Sequence, residues 1–212
     1  ICPAHQGEEA LCGGDIAILA APDLLALINH FTGLQILSGP VFSNAVVSSE
    51  TAEPDMADVK GMETGRRALE IAAVGGHSLL LSGPPGAGKS MLAARLRGLL
   101  PDLRASESLA VSRIHSVAGL LRDGRPIRRP PFREPHHSAS LPALVGGGAR
   151  ARPGEISLAH HGVLVLHELP EFARAALGAL PQPLVTGQAR LAPSRRPVPH
   201  PARSHRLPAP TP

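Results

Sequence analysis

Ser78-Leu79-Leu80-Leu81-Ser82-Gly83-Pro84-Pro85-Gly86-Ala87-Gly88-Lys89-Ser90-Met91 is the stretch on which the fold turns. A short apolar run, Ser78–Leu81, has the length and composition of a buried strand. It is followed by Gly83 to Ser90, which satisfies the pattern G-x-x-x-x-G-K-[ST]. Next comes a helical pattern over residues 89–100, ended by Pro101. Each part of the loop has a chemical reason. Glycines let backbone N–H groups turn inward around an anion, and the following helix presents its positive end to it. Lys89 is placed to reach terminal phosphates, and Ser90 offers a hydroxyl to Mg²⁺. A strand, this loop and a helix in that order identify a phosphate-binding loop.

Outward from the loop, the chain divides into four zones. Residues 1–40 hold turn residues and one predicted helix, in which Asp23 caps Leu24–Phe31 and Leu24, Leu27, Ile28 and Phe31 form an i, i+3, i+4, i+7 stripe. Forty residues are too few to bury a core alone. Residues 41–56 are polar and aperiodic, as in a linker. From 57 to 189 the pattern is α/β: a helix over Glu63–Ala73 stopped by Gly75-Gly76, the loop and its helix, a strand over Gly162–Leu166, and a third helix over Glu171–Leu180. Strands separated by helices and loops predict a mostly parallel sheet. Residues 190–212 carry seven prolines from Pro193 onward, and proline's missing donor predicts a disordered tail.

Composition narrows the class. The chain has 212 residues with 21 Lys+Arg and 17 Asp+Glu, a formal charge of +4. From Arg190 onward there are five arginines and no acid, so residues 1–189 carry 16 − 17, or −1. The basic character belongs to the tail and is weak evidence for a nucleic-acid-binding domain. Four Phe and no Trp or Tyr leave Leu, Val, Ile and Ala to build the core. The apolar runs are far shorter than a membrane span, and no signal-peptide pattern opens the chain. Cys2 and Cys12 form neither a disulfide framework nor a CxxC pair, which fits a reducing cytoplasm. Ile1 begins in mid-pattern, as an internal segment would.

A second motif is Val163-Leu164-Val165-Leu166-His167-Glu168, an apolar strand ending in polar residues. In phosphate-loop NTPases such a strand ends in an Asp that helps hold Mg²⁺. Here His167 occupies that position, and a neutral imidazole supplies nitrogen without charge where Mg²⁺ prefers oxygen. Glu168 is placed to orient or deprotonate an attacking water.

Asp58-Val59-Lys60-Gly61, GPPGAGKSMLAARL (83–96), IHSVAGLL (114–121), PFREPHHSAS (131–140), LVGGGARARPGEISLAHHGVLVLHELPEF (144–172) and QPLVTG (182–187) together resemble the YifB/ComM-type, magnesium-chelatase-like AAA+ ATPases. The resemblance runs from about 56 to 187 and fades beyond Gly187. It implies a P-loop NTPase with a three-layer αβα core. Residues 1–40 resemble the end of the family's N-terminal Lon-protease-like domain (ribosomal S5 domain 2-like).

The resemblance also implies ATP or ADP and Mg²⁺ as cofactors, homo-hexameric rings, a cytoplasmic setting and, in ComM-type members, ATP-driven branch migration on DNA. Gly83, Pro84, Pro85, Gly86, Ala87, Gly88, Lys89, Ser90 and Met91 match the nucleotide-binding positions. Asp58, Val59 and Gly61 match the stretch near the adenine. Lys89 and Glu168 match catalytic positions, with Ser90 on Mg²⁺ and Glu168 behind the metal's water shell. The 79-residue interval between Lys89 and Glu168 accommodates the clade's inserted hairpin, expected to contain Arg128–Ser140 and to face the ring's pore.

His167, Pro181 and Val185 depart from the family pattern, and the sensor Asn, arginine finger and C-terminal lid are missing from the stretch in hand. The expectation is a module that binds nucleotide and hydrolyses it poorly. Two rival readings are a non-enzymatic nucleic-acid-binding fragment, using Arg128, Arg129, Arg133 and the tail, and a decayed gene product. The six histidines from His115 to His167 match no zinc spacing, and the adjacent pairs are expected on opposite faces of a strand.

Overall fold

The computed structural model describes residues 1–11, 16–41, 54–121, 125–147, 152–181, 188–190, 199–202 and 204–209. Cys12, most of the expected linker (42–53), Arg122, the 182–187 motif with Val185, and residues 191–198 lie outside them. Two compact units form, one from Ile1–Glu50 with Ala105–Ile127 and one from Thr51–Arg104 with Arg128–Pro212.

In the first unit, Asp23 caps the helix Leu24–Phe31 as its sequence predicts, its carboxylate accepting from the Ala26 amide at 2.7 Å. The apolar stripe of that helix is largely uncovered, with Leu24, Ile28 and Phe31 all exposed. A two-residue parallel pairing, Cys2–Pro3 with Ala20–Ala21, lies beside it in sequence. The helix Ala105–Val117 is tied to residue 127 by hydroxyls. Ser108 Oγ donates to the Ile127 carbonyl, and Ser112 Oγ accepts from the Ile127 amide while donating to the Ser108 carbonyl. Backbone groups near 127 are thereby satisfied without a ladder.

The second unit is built around the strand Val163–His167. Its neighbours are Phe132–Arg133 on one side and His205–Ala209 on the other, both parallel to it. Side chains alternate along the strand. Val163 and Val165 pack with Val59, Leu69, Leu92, Ala93 and Leu96, which come from the 54–75 region and from the helix Lys89–Leu99. Leu164 and Leu166 pack on the opposite face with Leu144, Ile156, Phe172, Ala176 and Leu180. A strand covered on both faces reads as a continuous apolar run because neither side meets water. Helix, sheet and helix therefore form three layers.

The helix following the 58–61 segment, Glu63–Gly75, ends at Gly76 in the left-handed conformation, where only glycine is unstrained. It approaches the Lys89–Leu99 helix closely. A Cβ at Gly65 would sit 2.9 Å from Leu92 Cδ1.

Several expectations are corrected. Ser78–Leu81 joins no ladder among the described residues, although Leu79 and Leu81 pack against the core and Leu80 is exposed. The inward–outward alternation of a strand is present without its hydrogen bonding. The third helix is Arg174–Ala179, preceded by a 3-10 turn at Leu169–Glu171. Extended backbone at Phe172, whose ring is buried, separates the two.

Met56, assigned by sequence to the linker, is the buried first residue of a 3-10 turn capped by Asp55. Arg128–Ser140 is no inserted hairpin, because Phe132–Arg133 is a strand of the central sheet. Nor is the tail without structure where it is described. His205–Ala209 runs beside Val163–His167 over five residues, and Ala202 is fully buried. Proline forbids only its own N–H, so a strand with one proline can still pair through its other groups.

The fully buried Leu164 sits at the centre of one face. Leu164→Ala should cost about 2–5 kcal/mol in a urea titration followed by far-UV circular dichroism. A loss below about 1 kcal/mol would mean that this face is not a packed core.

Candidate nucleotide site

The loop is shaped by glycines, two of which take the left-handed conformation. Gly86 has φ 79° and Gly88 has φ 80°, and Gly88 caps the Lys89–Leu99 helix. At Gly86 an added Cβ would meet nothing within 4 Å, so the loop's crest is open. At Gly88 it would crowd Met62 Sδ at 3.1 Å, which brings the 58–62 segment against the loop. Val59 is buried, Gly61 takes φ 69°, and Asp58 closes a capping box with Asp55 while facing Arg95 at 3.7 Å. Asp58, Val59 and Gly61 thus border the loop through Met62, which sequence reasoning missed. A flexible thioether filling a gap carries no pattern of its own.

Lys89 Nζ donates to the Gly83 carbonyl at 2.6 Å and to the Pro84 carbonyl at 2.9 Å. The ammonium is therefore folded over the loop at the start of a helix whose first N–H groups have no intrahelical partner. That combination of positive end, open crest and ammonium fits the phosphates of a nucleotide.

Ser90 follows on the first turn, and its Oγ stands 3.4 Å from His167 Nδ1 at the end of the central strand. The other ring nitrogen of His167, Nε2, is 2.6 Å from Glu134 Oε1. Next along the chain, Glu168 adopts φ 52°, a left-handed conformation rare for a residue with a side chain. Its Oε2 lies 2.9 Å from His137 Nδ1. Strain of this kind persists only where the surroundings hold it, and it is common at functional sites.

Ser90 Oγ is the hydroxyl oxygen at this point, a donor of the kind Mg²⁺ prefers, while Glu134 and Glu168 each face a histidine ring, His167 and His137. The Ser90 hydroxyl suits a Mg²⁺ that keeps most of its water shell, with His167 behind the serine; among the described residues no cluster of three His, Cys, Asp or Glu could hold a metal by itself. Of these groups the sequence singles out Ser90, His167 and Glu168 but not Glu134 or His137. A histidine in place of an expected acid was the signal that a carboxylate should be sought elsewhere.

The arginines proposed from sequence for DNA are placed differently. Arg133 Nε and Nη2 donate to the two carboxylate oxygens of Glu155 at 2.6 and 2.7 Å. The hydrogen bond to Glu155 raises the guanidinium pKa further, partial burial lowers it, and the charge of Glu155 adds to the rise. Arg129 Nε lies 3.8 Å from Asp102. Arg128 is exposed, and its carbonyl accepts from the Leu103 amide at 2.7 Å. The expected opposite orientation of the histidine pairs is also corrected. The His136 and His137 rings lie 4.0 Å apart, as do those of His160 and His161, because each pair borders a turn rather than a strand interior. No described helix is long and apolar enough to cross a membrane.

Residues 55–212 match the family model described as magnesium chelatase, subunit ChlI. The match passes through the proline-rich tail, so the family likeness does not fade at Gly187. The chain is 48% identical over 199 residues to the uncharacterized protein YifB of Escherichia coli strain K12, covering 94% of this chain and 39% of that protein. It is 43% identical over 206 residues to the competence protein ComM of Haemophilus influenzae, covering 96% of this chain and 40% of that one. It thus spans about two fifths of the length of these relatives. Among solved structures, a cryo-EM-based model of the complex between subunits BchI and BchD of magnesium chelatase aligns with a TM-score of 0.60 at 24% identity. That alignment covers 75% of this chain and 56% of that one, and it supports the fold.

Removing the Arg133 guanidinium leaves Glu155 half-buried without its partner. Arg133→Met should cost about 1.5–3 kcal/mol of unfolding free energy. A change under roughly 0.5 kcal/mol would show instead that the pair behaves as a surface contact.

Proposed function

The chain belongs to the magnesium chelatase subunit ChlI family, and from that membership and the loop geometry we propose that it is the nucleotide-binding module of an AAA+ ATPase. The observation that carries this reading is the Lys89 ammonium poised on loop carbonyls at a helix N-terminus, one residue from the Ser90 hydroxyl. Incoming phosphate oxygens offer Lys89 a charged partner in place of two neutral carbonyls, so binding exchanges weaker contacts for stronger ones. Backbone N–H groups of Gly86, Gly88, Lys89 and Ser90 would line the anion, the Ala87 amide being held by the Pro84 carbonyl, and the Asp58–Gly61 segment would border the base. Met91, partly exposed beside the loop, is a further contact for the nucleotide.

A bound Mg²⁺ would supply neutralisation of phosphate charge. Ser90 would hold it directly, and Glu168 would act from behind its water shell. Glu168 is also the group to orient the attacking water, with His137 fixing its carboxylate. His167 contributes nitrogen where an acid would contribute charged oxygen, so we propose nucleotide binding with slow hydrolysis. Ring assembly, a cytoplasmic setting and ATP-driven DNA branch migration are proposed for the whole protein, on its likeness to the competence protein ComM. Residues 1–40 are proposed to close a preceding Lon-protease-like domain. The arginine-driven nucleic-acid-binding alternative loses support from the engagement of Arg133 by Glu155 and the facing of Arg129 by Asp102.

Lys89→Ala should weaken binding of a fluorescent ATP analogue by about 10- to 100-fold, the loss of a charge-assisted hydrogen bond. Equal affinity in the variant and the unaltered chain would refute the assignment of the loop.

A further inference from the structure

Glu134 lies 33 residues before His167 in the sequence, on the segment following the Phe132–Arg133 strand, and the parallel pairing of that strand with Val163–His167 brings the two together. Its carboxylate meets His167 Nε2 at 2.6 Å, while Nδ1 of the same ring faces Ser90 Oγ at 3.4 Å. The three groups form a line: carboxylate, imidazole, hydroxyl.

An ionised carboxylate only accepts hydrogen bonds, so Glu134 requires the proton on Nε2. In the neutral ring Nδ1 is then a bare acceptor, directed at Ser90. A serine that donates its O–H to Nδ1 keeps its oxygen lone pairs for a cation on the opposite side. An aspartate at position 167 would do both jobs at once, accepting from Ser90 and supplying negative charge. Here the jobs are divided between two residues.

We propose that Glu134 is a positioning residue that makes His167 a working substitute for that aspartate, fixing the ring so that Ser90 presents its oxygen to Mg²⁺. The proposal rests on the nucleotide-binding reading above and extends it to metal handling. Outer-shell carboxylates commonly serve ligating groups in this way, setting tautomer and orientation through the second ring nitrogen. The Glu134 side chain is half exposed, so replacing it by leucine, which has no acceptor, does not open a buried cavity.

The test is a double-mutant cycle on the full chain. The Mg²⁺ concentration that half-saturates its enhancement of ATP binding is measured by calorimetry, with each variant's metal-free ATP affinity as the reference. Glu134→Leu, which leaves no acceptor for Nε2–H, should raise that concentration about tenfold or more in the His167 background, as loss of an outer-shell partner does. In the His167→Asp background the same change should produce no rise, because the introduced carboxylate accepts from Ser90 unaided. The ¹⁵N shifts of the His167 ring should report a fixed Nε2–H in the unaltered chain and lose that signature in Glu134→Leu, which has no acceptor for the proton.

A change within about twofold in the His167 background, or an equal rise in both backgrounds, would overturn the proposal. Absence of ATP binding by the unaltered chain, with or without Mg²⁺, would instead overturn the nucleotide reading and this inference with it.

Discussion

Burial of both faces of the Val163–His167 strand is the constraint on which the site depends. Each buried Val or Leu contributes about 1.5–3 kcal/mol by leaving water, and four in succession fix the strand's register and direction. A one-residue slip would exchange the two faces and place each set of side chains in the wrong layer. With that register fixed, the strand delivers His167 beside Ser90 and Glu168 one step beyond. The same strand pins Phe132–Arg133, and hence Glu134, on its flank. Packing far from the loop therefore sets the geometry of polar groups within it.

The electrostatics of the site follow from where its carboxylates stand. An acid at the strand's end would place its charge directly against the serine. Histidine moves the charge one ring outward, to Glu134, and Glu168 is occupied by His137. The arrangement keeps an acceptor beside the Ser90 hydroxyl while lowering the negative charge nearest it. On the proposed reading, nucleotide affinity is the part of the function least touched by this change, because the loop amides and Lys89 would act without the metal.

The sequence makes the loop and its helix legible because their requirements are local. Gly86 and Gly88 need left-handed backbone, Lys89 and Ser90 follow at fixed spacing, and Lys89–Leu99 ends just before Pro101. The strand Val163–His167 is legible for the same reason, as an unbroken apolar run. The pairing of Glu134 with His167 is not legible, since it depends on two strands meeting across 33 residues, one of them only two residues long. The strand His205–Ala209 was hidden by proline content, a count that ignores which N–H each proline removes. Ser78–Leu81 shows the opposite error. Its apolar pattern predicts a strand, yet a strand is completed only by a partner, and pattern alone does not supply one.

The central claim is that a nucleotide's phosphates lie against residues 83–90. Amide hydrogen exchange, read by mass spectrometry on peptides spanning the chain, tests it most directly because exchange reports local opening and contact residue by residue. With saturating ATP, slowed exchange is predicted in the peptide covering Gly83–Met91, with a smaller effect over 58–62. Protection confined to other peptides, or none anywhere, would contradict the account.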